Sequence, residues 1–169
     1  DISIEPMTTT ASTTTAKVAP LIFYGWKLSY YSAKAFAYLS YKNIPLSYKV
    51  INAWDLNITI KKKTGHSVMP VVLTPEGEWI QDSRAIIDAM EKRYEDSSVI
   101  PVSPKRKFVA CLIESWCDEM WVGPAMHYRW NFPESVAFFK DEAGKNLLPS
   151  WAPSFMRNKI TDEIANLLV

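Results

Sequence analysis

The sequence predicts an α/β fold, a mixed four-stranded sheet carrying helices, continued by an all-helical segment. Three observations lead there. Residues 21–51 read as strand, helix, strand. Residues 69–94 read as two short strands joined by a tight turn and followed by a helix. From residue 105 onward every periodic stretch has helical spacing. The order is therefore β-α-β, then β-β-α, then helices alone.

Leu21-Ile22-Phe23-Tyr24 is a continuous apolar run after Pro20, the pattern of a strand buried on both faces. Gly25 to Ser29 is a loop. From Tyr30 to Asn43, Ala33, Phe36, Ala37 and Tyr41 recur at three- and four-residue spacings, and Ala35, Tyr38 and Leu39 make the other side apolar too. That helix is expected to be sandwiched between two layers. Asn43 and Pro45 stop it. Leu46 to Ile51 alternates apolar and polar through Val50, as a half-buried strand does, and a strand-helix-strand unit implies that the two strands run parallel. Asn52 to Gly65 is polar and lysine-rich, with a short helix at most.

Met69 to Leu73 is a third strand. Pro75-Glu76-Gly77 turns the chain, and Glu78 to Gln81 returns antiparallel. Asp82-Ser83 caps a helix with Ile86, Ile87, Met90 and Tyr94 on one stripe. Pro101 and Pro104 mark a linker over 97–104, dividing an α/β domain at 20–96 from a helical domain at 105–169. Lys105 to Trp121 is a helix with Val109, Leu112, Ile113, Trp116 and Met120 on one face. Pro124 and Pro133 break the next region, and Glu134–Gly144 and Ser154–Val169 are further helices.

Residues 1–19, dominated by Thr and Ser without apolar periodicity, are expected to be a tail. They lack the apolar centre of a secretory signal and, with Asp1, Glu5 and no Arg, match a mitochondrial presequence poorly. Met7 is a candidate native start; alternatively Asp1 is an end left by processing.

A formal net charge of +1 gives no electrostatic case for nucleic acid or an anionic membrane. No apolar run approaches the roughly 18 residues a membrane helix needs. Cys111 and Cys117, six residues apart on a helix, fall on different faces, so a disulfide between them is geometrically disfavoured and two free thiols fit a reducing compartment. The two histidines stand far apart with no cysteine near either, which gives no metal-ligand spacing, and five glycines form no phosphate loop.

Three segments carry candidate chemistry. Val68-Met69-Pro70-Val71-Val72-Leu73 puts a proline at the mouth of a strand. Gln81-Asp82-Ser83-Arg84-Ala85-Ile86 opens a helix twelve residues after Pro70, across one hairpin. A helix N-terminus presents free N–H groups and a partial positive charge to an anion. Tyr24-Gly25-Trp26-Lys27-Leu28-Ser29-Tyr30-Tyr31-Ser32-Ala33-Lys34 joins the first strand to the first helix.

In order of elements and in these three segments, the chain from about Leu21 to Val169 resembles the glutathione-transferase superfamily, most closely from Leu21 to Tyr94. The resemblance implies a thioredoxin-like βαβ-ββα domain followed by a helical domain shorter than is usual for the family. It implies a cis Pro70, with the backbone of Met69 pairing with the cysteinyl backbone of glutathione as an added strand would. Ser83 would hold the γ-glutamyl carboxylate and Asp82 the ammonium group. His66 would contact the glycyl carboxylate, and Lys34 would neutralise an anion. Ser29 occupies the position of the catalytic Ser or Cys, where a hydrogen bond to the glutathione sulfur favours the thiolate.

The proline usual after that residue is replaced by Tyr30, and Tyr24, Tyr30 and Tyr31 are alternative hydroxyls. Ser29-x-x-Ser32 stands where dithiol relatives carry two cysteines, which excludes dithiol exchange at this site. The same residues suit plainer roles: Ser29 and Asp82-Ser83 as helix caps, Lys34 and His66 as solvated surface groups, Trp116, Trp121 and Trp130 as core.

Two functions follow from the resemblance. The first is an enzyme that conjugates the glutathione thiolate, as co-substrate and without a metal, to an apolar electrophile. The pocket for that electrophile would lie along Ile113–Trp130, where His127, Tyr128, Arg129 and Trp130 are candidates to face it. The second is a non-catalytic accessory subunit of a larger assembly. The family also implies a homodimer, or association with other protein subunits. A cytoplasmic location is expected, with the mitochondrion as the alternative.

Overall fold

The structure, a computed structural model, describes residues 19–52, 54–147, 153, 155–156, 159 and 161–162. The expected tail lies outside the described residues apart from Ala19, as does most of the expected helix at 154–169; Phe155, Met156, Lys159, Thr161 and Asp162 within the latter are helical.

Strand β1 (Leu21–Gly25) leads into helix α1 (Tyr30–Tyr41) and strand β2 (Leu46–Val50). A π-helical segment, Asp55–Ile60, runs directly into α2 (Lys61–Thr64). Strands β3 (Val71–Leu73) and β4 (Trp79–Gln81) form a hairpin, and α3 (Ser83–Arg93) follows. Helices α4 (Pro104–Met120), α5 (Val122–Trp130) and α6 (Pro133–Leu147) complete the described chain. The sheet order is β2-β1-β3-β4; β1 and β2 are parallel, and β3 runs antiparallel to both β1 and β4. This is the thioredoxin-like mixed sheet with a helical segment after it.

Register decides what each face buries. Phe23 stands between Tyr48 and Val72, and Val72 opposite Ile80. This face meets α1 and α3 in a core of Leu21, Phe23, Ala35, Tyr38, Leu39, Ile44, Val72, Ile80, Ile86 and Met90. The alternate residues, Tyr24, Val71 and Gln81, point to the opposite face, as the two-residue period of a strand requires. The expected short helix at 52–65 is ten residues long, π-helical over Asp55–Ile60 and α-helical over Lys61–Thr64. The Asn52 side chain caps it by accepting the Asp55 N–H at 2.8 Å, and Ile60 is fully buried, which anchors it. Gly65, in the left-handed region, ends it.

Two helical faces differ from expectation. α1 is not sandwiched: Ser32, Ala35, Tyr38 and Leu39 are buried, while Ala33, Phe36, Ala37 and Tyr41 are exposed. Helix α4 turns its apolar stripe outward. Val109, Leu112, Ile113, Trp116 and Met120 are all at least half exposed, whereas Cys111, Glu114, Cys117 and Asp118 face the α/β domain. The reason lies on α1, whose Lys34, Tyr30 and Tyr31 all find their polar partners on that side of α4. Pro124 and Pro133 do not interrupt the helical region. They sit in the first turns of α5 and α6, where a missing N–H costs nothing.

Among the described residues no helix is long and apolar enough to cross a membrane.

Candidate functional site

The antiparallel register of β1 and β3 pairs Tyr24 with Val71, so the end of β1 and its loop to Ser29 lie at the same sheet edge as Met69-Pro70. Gly25 makes that exit tight: a Cβ there would stand 2.6 Å from the Phe23 ring and 3.1 Å from Ser32 Oγ. The Met69-Pro70 bond is cis. Met69 itself makes no backbone hydrogen bond to any described residue, which leaves its N–H and C=O open to a strand-like ligand.

The tip of α3 lies directly beside this turn, because the Asp82 N–H donates to the Pro70 carbonyl oxygen at 3.1 Å. Asp82 adopts φ 85°, a backbone state in which a non-glycine residue costs about 1–3 kcal/mol. Its side chain offsets that cost, since Oδ1 accepts the N–H groups of Arg84 at 2.8 Å and Ala85 at 3.1 Å. Oδ2 has no partner among the described residues. Ser83, the first residue of α3, is 2% exposed.

Ser29 caps α1: its Oγ accepts the Ser32 N–H at 3.3 Å. A hydroxyl that accepts this bond still holds its own proton, so capping and donation to a sulfur are compatible roles.

The three alternative tyrosines are engaged in other ways. Tyr30 Oη donates to the Cys117 carbonyl at 2.9 Å, and Tyr31 Oη to the Asp118 carbonyl at 3.0 Å. Burial, with Glu119 and Asp118 nearby, pushes the Tyr31 phenol above its usual pKa and makes it a poorer proton donor. Tyr24 lies on the far sheet face, stacked on Trp79 with Lys49 Nζ 5.6 Å above its ring.

Lys34 does not wait for an anion from solution. Its Nζ contacts Glu114 at 2.7 Å and Asp118 at 2.6 Å and so ties α1 to α4. Burial works against its charge, but these two carboxylates raise its pKa overall. His66 is exposed in the loop before the proline turn, and its carbonyl accepts Gln81 Nε2 at 3.0 Å. Gln81 also donates to the Val68 carbonyl at 2.9 Å, so one side chain staples β4 to the loop on both sides of Ser67. Sequence reading passed over this residue, although its place just before the Asp82-Ser83 cap was the available signal.

Beside Leu28, the residue before Ser29, opens a cavity of about 440 Å³ lined also by Ala125, Tyr128, Arg129, Phe138 and Phe139, with Glu134 and Ser135 completing it. Of the residues expected to face an electrophile, Tyr128 and Arg129 line it. His127 instead packs on Phe132, and Trp130 on Phe139. Trp26 also packs on Phe139, and the buried indole N–H groups of Trp26 and Trp130 lack acceptors among the described residues. No three His, Cys, Asp or Glu side chains gather among the described residues as a metal site would require.

Comparison with known proteins agrees with this architecture. Residues 23–98 match the family model of the glutathione S-transferase N-terminal domain. No curated protein matches the chain. Among solved structures, a glutathione S-transferase from Rhodospirillum rubrum F11 is similar at 16% identity and TM-score 0.58, over 87% of this chain and 62% of its own. FzlA from C. crescentus is similar at 16% identity and TM-score 0.57, over 88% and 63%. A glutathione S-transferase from Methylobacterium radiotolerans, solved in complex with glutathione sulfonate, is similar at 19% identity and TM-score 0.56, over 89% and 64%. The chain thus spans about three-fifths of the length of these structures. Residues 23–98 thus match the glutathione S-transferase N-terminal domain, and the chain shares the fold of these transferases.

Proposed function

We propose that this protein binds glutathione across the cis-proline turn and the tip of α3 and presents its thiolate to an electrophile in the cavity beside Leu28. What supports this reading above all is the Asp82 N–H to Pro70 carbonyl bond, which brings an unpaired strand edge and a helix N-terminus together at one end of the sheet. Met69 would pair with the peptide's cysteinyl backbone. The buried Ser83, with its backbone N–H and hydroxyl at the positive end of α3, would receive the γ-glutamyl carboxylate, and Asp82 Oδ2 its ammonium group. His66 stands near enough in the chain to reach the glycyl end. Lys34 has no part in this scheme, because its charge is already paired.

In the reaction Ser29 Oγ donates to the sulfur, lowering its pKa so that the thiol proton leaves to solvent. The thiolate then forms a bond to the electrophilic carbon, and the leaving group departs with the electron pair of the bond that breaks. Tyr30 and Tyr31 hold α4 against α1 and do not take over this role, since their protons are committed to α4 carbonyls.

The experiment is retention on immobilised glutathione with elution by free glutathione, followed by a conjugation assay. A protein that passes through unretained overturns the reading.

One observation favours a second reading, an accessory subunit without catalysis: the apolar stripe of α4, from Phe108 through Met120, is exposed. A contiguous apolar face of this kind marks an interaction surface. A homodimer or a larger assembly through α4 would cover it, and native size with and without glutathione separates the two readings. The free Cys111 and Cys117 suit the cytoplasm, with the mitochondrion as the alternative.

A further inference from the structure

We infer, building on the reading that the cavity beside Leu28 receives the second substrate, that this substrate carries an anionic group on an aromatic body and that Arg129 binds the anion. Arg129 is half-buried on the cavity wall. Its Nη2 donates to the Leu28 carbonyl at 2.7 Å, and Nη1 makes a weak contact to Met126 Sδ at 3.9 Å. A guanidinium has five N–H donors, so three remain without an acceptor among the described residues. No carboxylate of the described residues pairs with it.

The charge is also desolvated. Burial alone pulls the Arg129 pKa below the usual guanidinium value, with no neighbouring carboxylate to oppose it. A guanidinium in this state gains more from an arriving anion than a solvated one does. It is also held in position: its Cζ lies over the Phe139 ring, 4.9 Å from the centroid, and the Leu28 bond restrains it, so little freedom is lost on binding.

The rest of the wall sets the body of the ligand. Tyr128, Phe138 and Phe139 present aromatic surface, and Leu28 and Ala125 present aliphatic surface. Glu134 also lines the cavity, but it is exposed on the first turn of α6, where water screens its charge. An aromatic carboxylate or sulfonate matches this set. Because Leu28 precedes Ser29 in the chain, an anion on Arg129 would lie one residue from the proposed sulfur donor, and the rest of the molecule would reach toward the sulfur.

The test is equilibrium binding of two probes, 1-naphthalenesulfonate and neutral 1-naphthalenemethanol, measured by calorimetry on the full chain without glutathione. The sulfonate is expected to bind about tenfold tighter, with an affinity that falls as salt rises. Arg129→Met should abolish the preference while leaving the alcohol's affinity within about twofold, and Arg129→Lys should restore part of it. Should Arg129→Met fail to fold, Arg129→Gln decides: it keeps a donor for the Leu28 carbonyl while removing the charge, and should weaken the sulfonate about tenfold and leave the alcohol within about twofold. Equal binding of the two probes by the parent protein, or a preference that survives Arg129→Met or Arg129→Gln, overturns the inference. Because glutathione is absent from this measurement, failure of the protein to bind glutathione leaves the result standing. Retention on immobilised glutathione with equal probe affinities overturns the anion assignment alone.

Discussion

Glu91→Gln should cost this protein about 3 kcal/mol at pH 7. Glu91 lies on α3 with its side chain 6% exposed, and Lys42, at the end of α1, is 1% exposed. Glu91 Oε1 accepts from Tyr38 Oη at 2.7 Å and Lys42 Nζ at 2.9 Å. Oε2 accepts from Ser98 Oγ at 2.5 Å and the Val99 N–H at 3.2 Å. Burial would raise the Glu91 pKa, but the bonds from Ser98, Tyr38 and Lys42 overcome it and hold the carboxyl at about 2, against an ordinary 4.5. At about 1.4 kcal/mol per pKa unit, that difference is worth roughly 3 kcal/mol. The amide of glutamine turns a donor toward Val99 N–H and leaves the Lys42 ammonium buried without a counter-charge, a loss of about 3–5 kcal/mol in comparable buried pairs.

The sign with pH follows. The folded-state pKa is depressed, so the stabilisation is complete above about 4.5 and is lost as pH falls from there toward about 2. Urea denaturation of parent and variant, followed by circular dichroism from pH 7 to pH 3, measures it. The gap between them should be widest at pH 7 and should narrow below about pH 4.5. Adding Lys42→Met to the variant should recover part of the loss, because the unpaired charge goes with it. A gap under about 1 kcal/mol at pH 7, or one unchanged down to pH 3, would refute the account of this cluster.

Three further outcomes are expected. Ser29→Ala should lower the conjugation rate constant by about ten- to a hundredfold with little change in glutathione affinity, and should cost about 1 kcal/mol of stability through the lost α1 cap; steady-state kinetics and denaturation read these separately. Asp82→Asn keeps the amide oxygen that caps α3 but removes the charge, so stability should hold within about 0.5 kcal/mol while calorimetry finds glutathione bound about tenfold more weakly. Gly25→Ala should destabilise by about 1–3 kcal/mol in thermal unfolding, since the new methyl would meet the Phe23 ring at 2.6 Å.

Much of the candidate site was legible because its signals are local. A proline at a strand mouth, an Asp-Ser cap and the twelve residues between them specify a hairpin that brings turn and helix tip together, and the Asp82–Pro70 bond is the outcome. The Ser29 cap was equally legible, because a hydroxyl three residues before a free N–H needs no tertiary partner. Lys34, Tyr30 and Tyr31 were not. All three belong to the right segment, but their partners lie eighty or more residues away on α4, and no spacing rule reaches that far. Gln81 went unplaced because its partners are backbone carbonyls of a neighbouring loop, and Arg129, expected only to face the electrophile, also bonds the Leu28 carbonyl.

By itself the sequence determined the strands, the caps, most of the helices and the likeness to the glutathione transferases, all of which rest on residue type and short spacing. Only the tertiary structure decided which side of each helix is inside. Periodicity reports that α1 and α4 each carry an apolar stripe, but it cannot say what meets it. On α1 the Ser32, Ala35, Tyr38 and Leu39 side won, because it packs on the sheet. On α4 the polar side turned inward, because Lys34 requires carboxylates and the two tyrosine hydroxyls require acceptors, and only that face of α4 offers both.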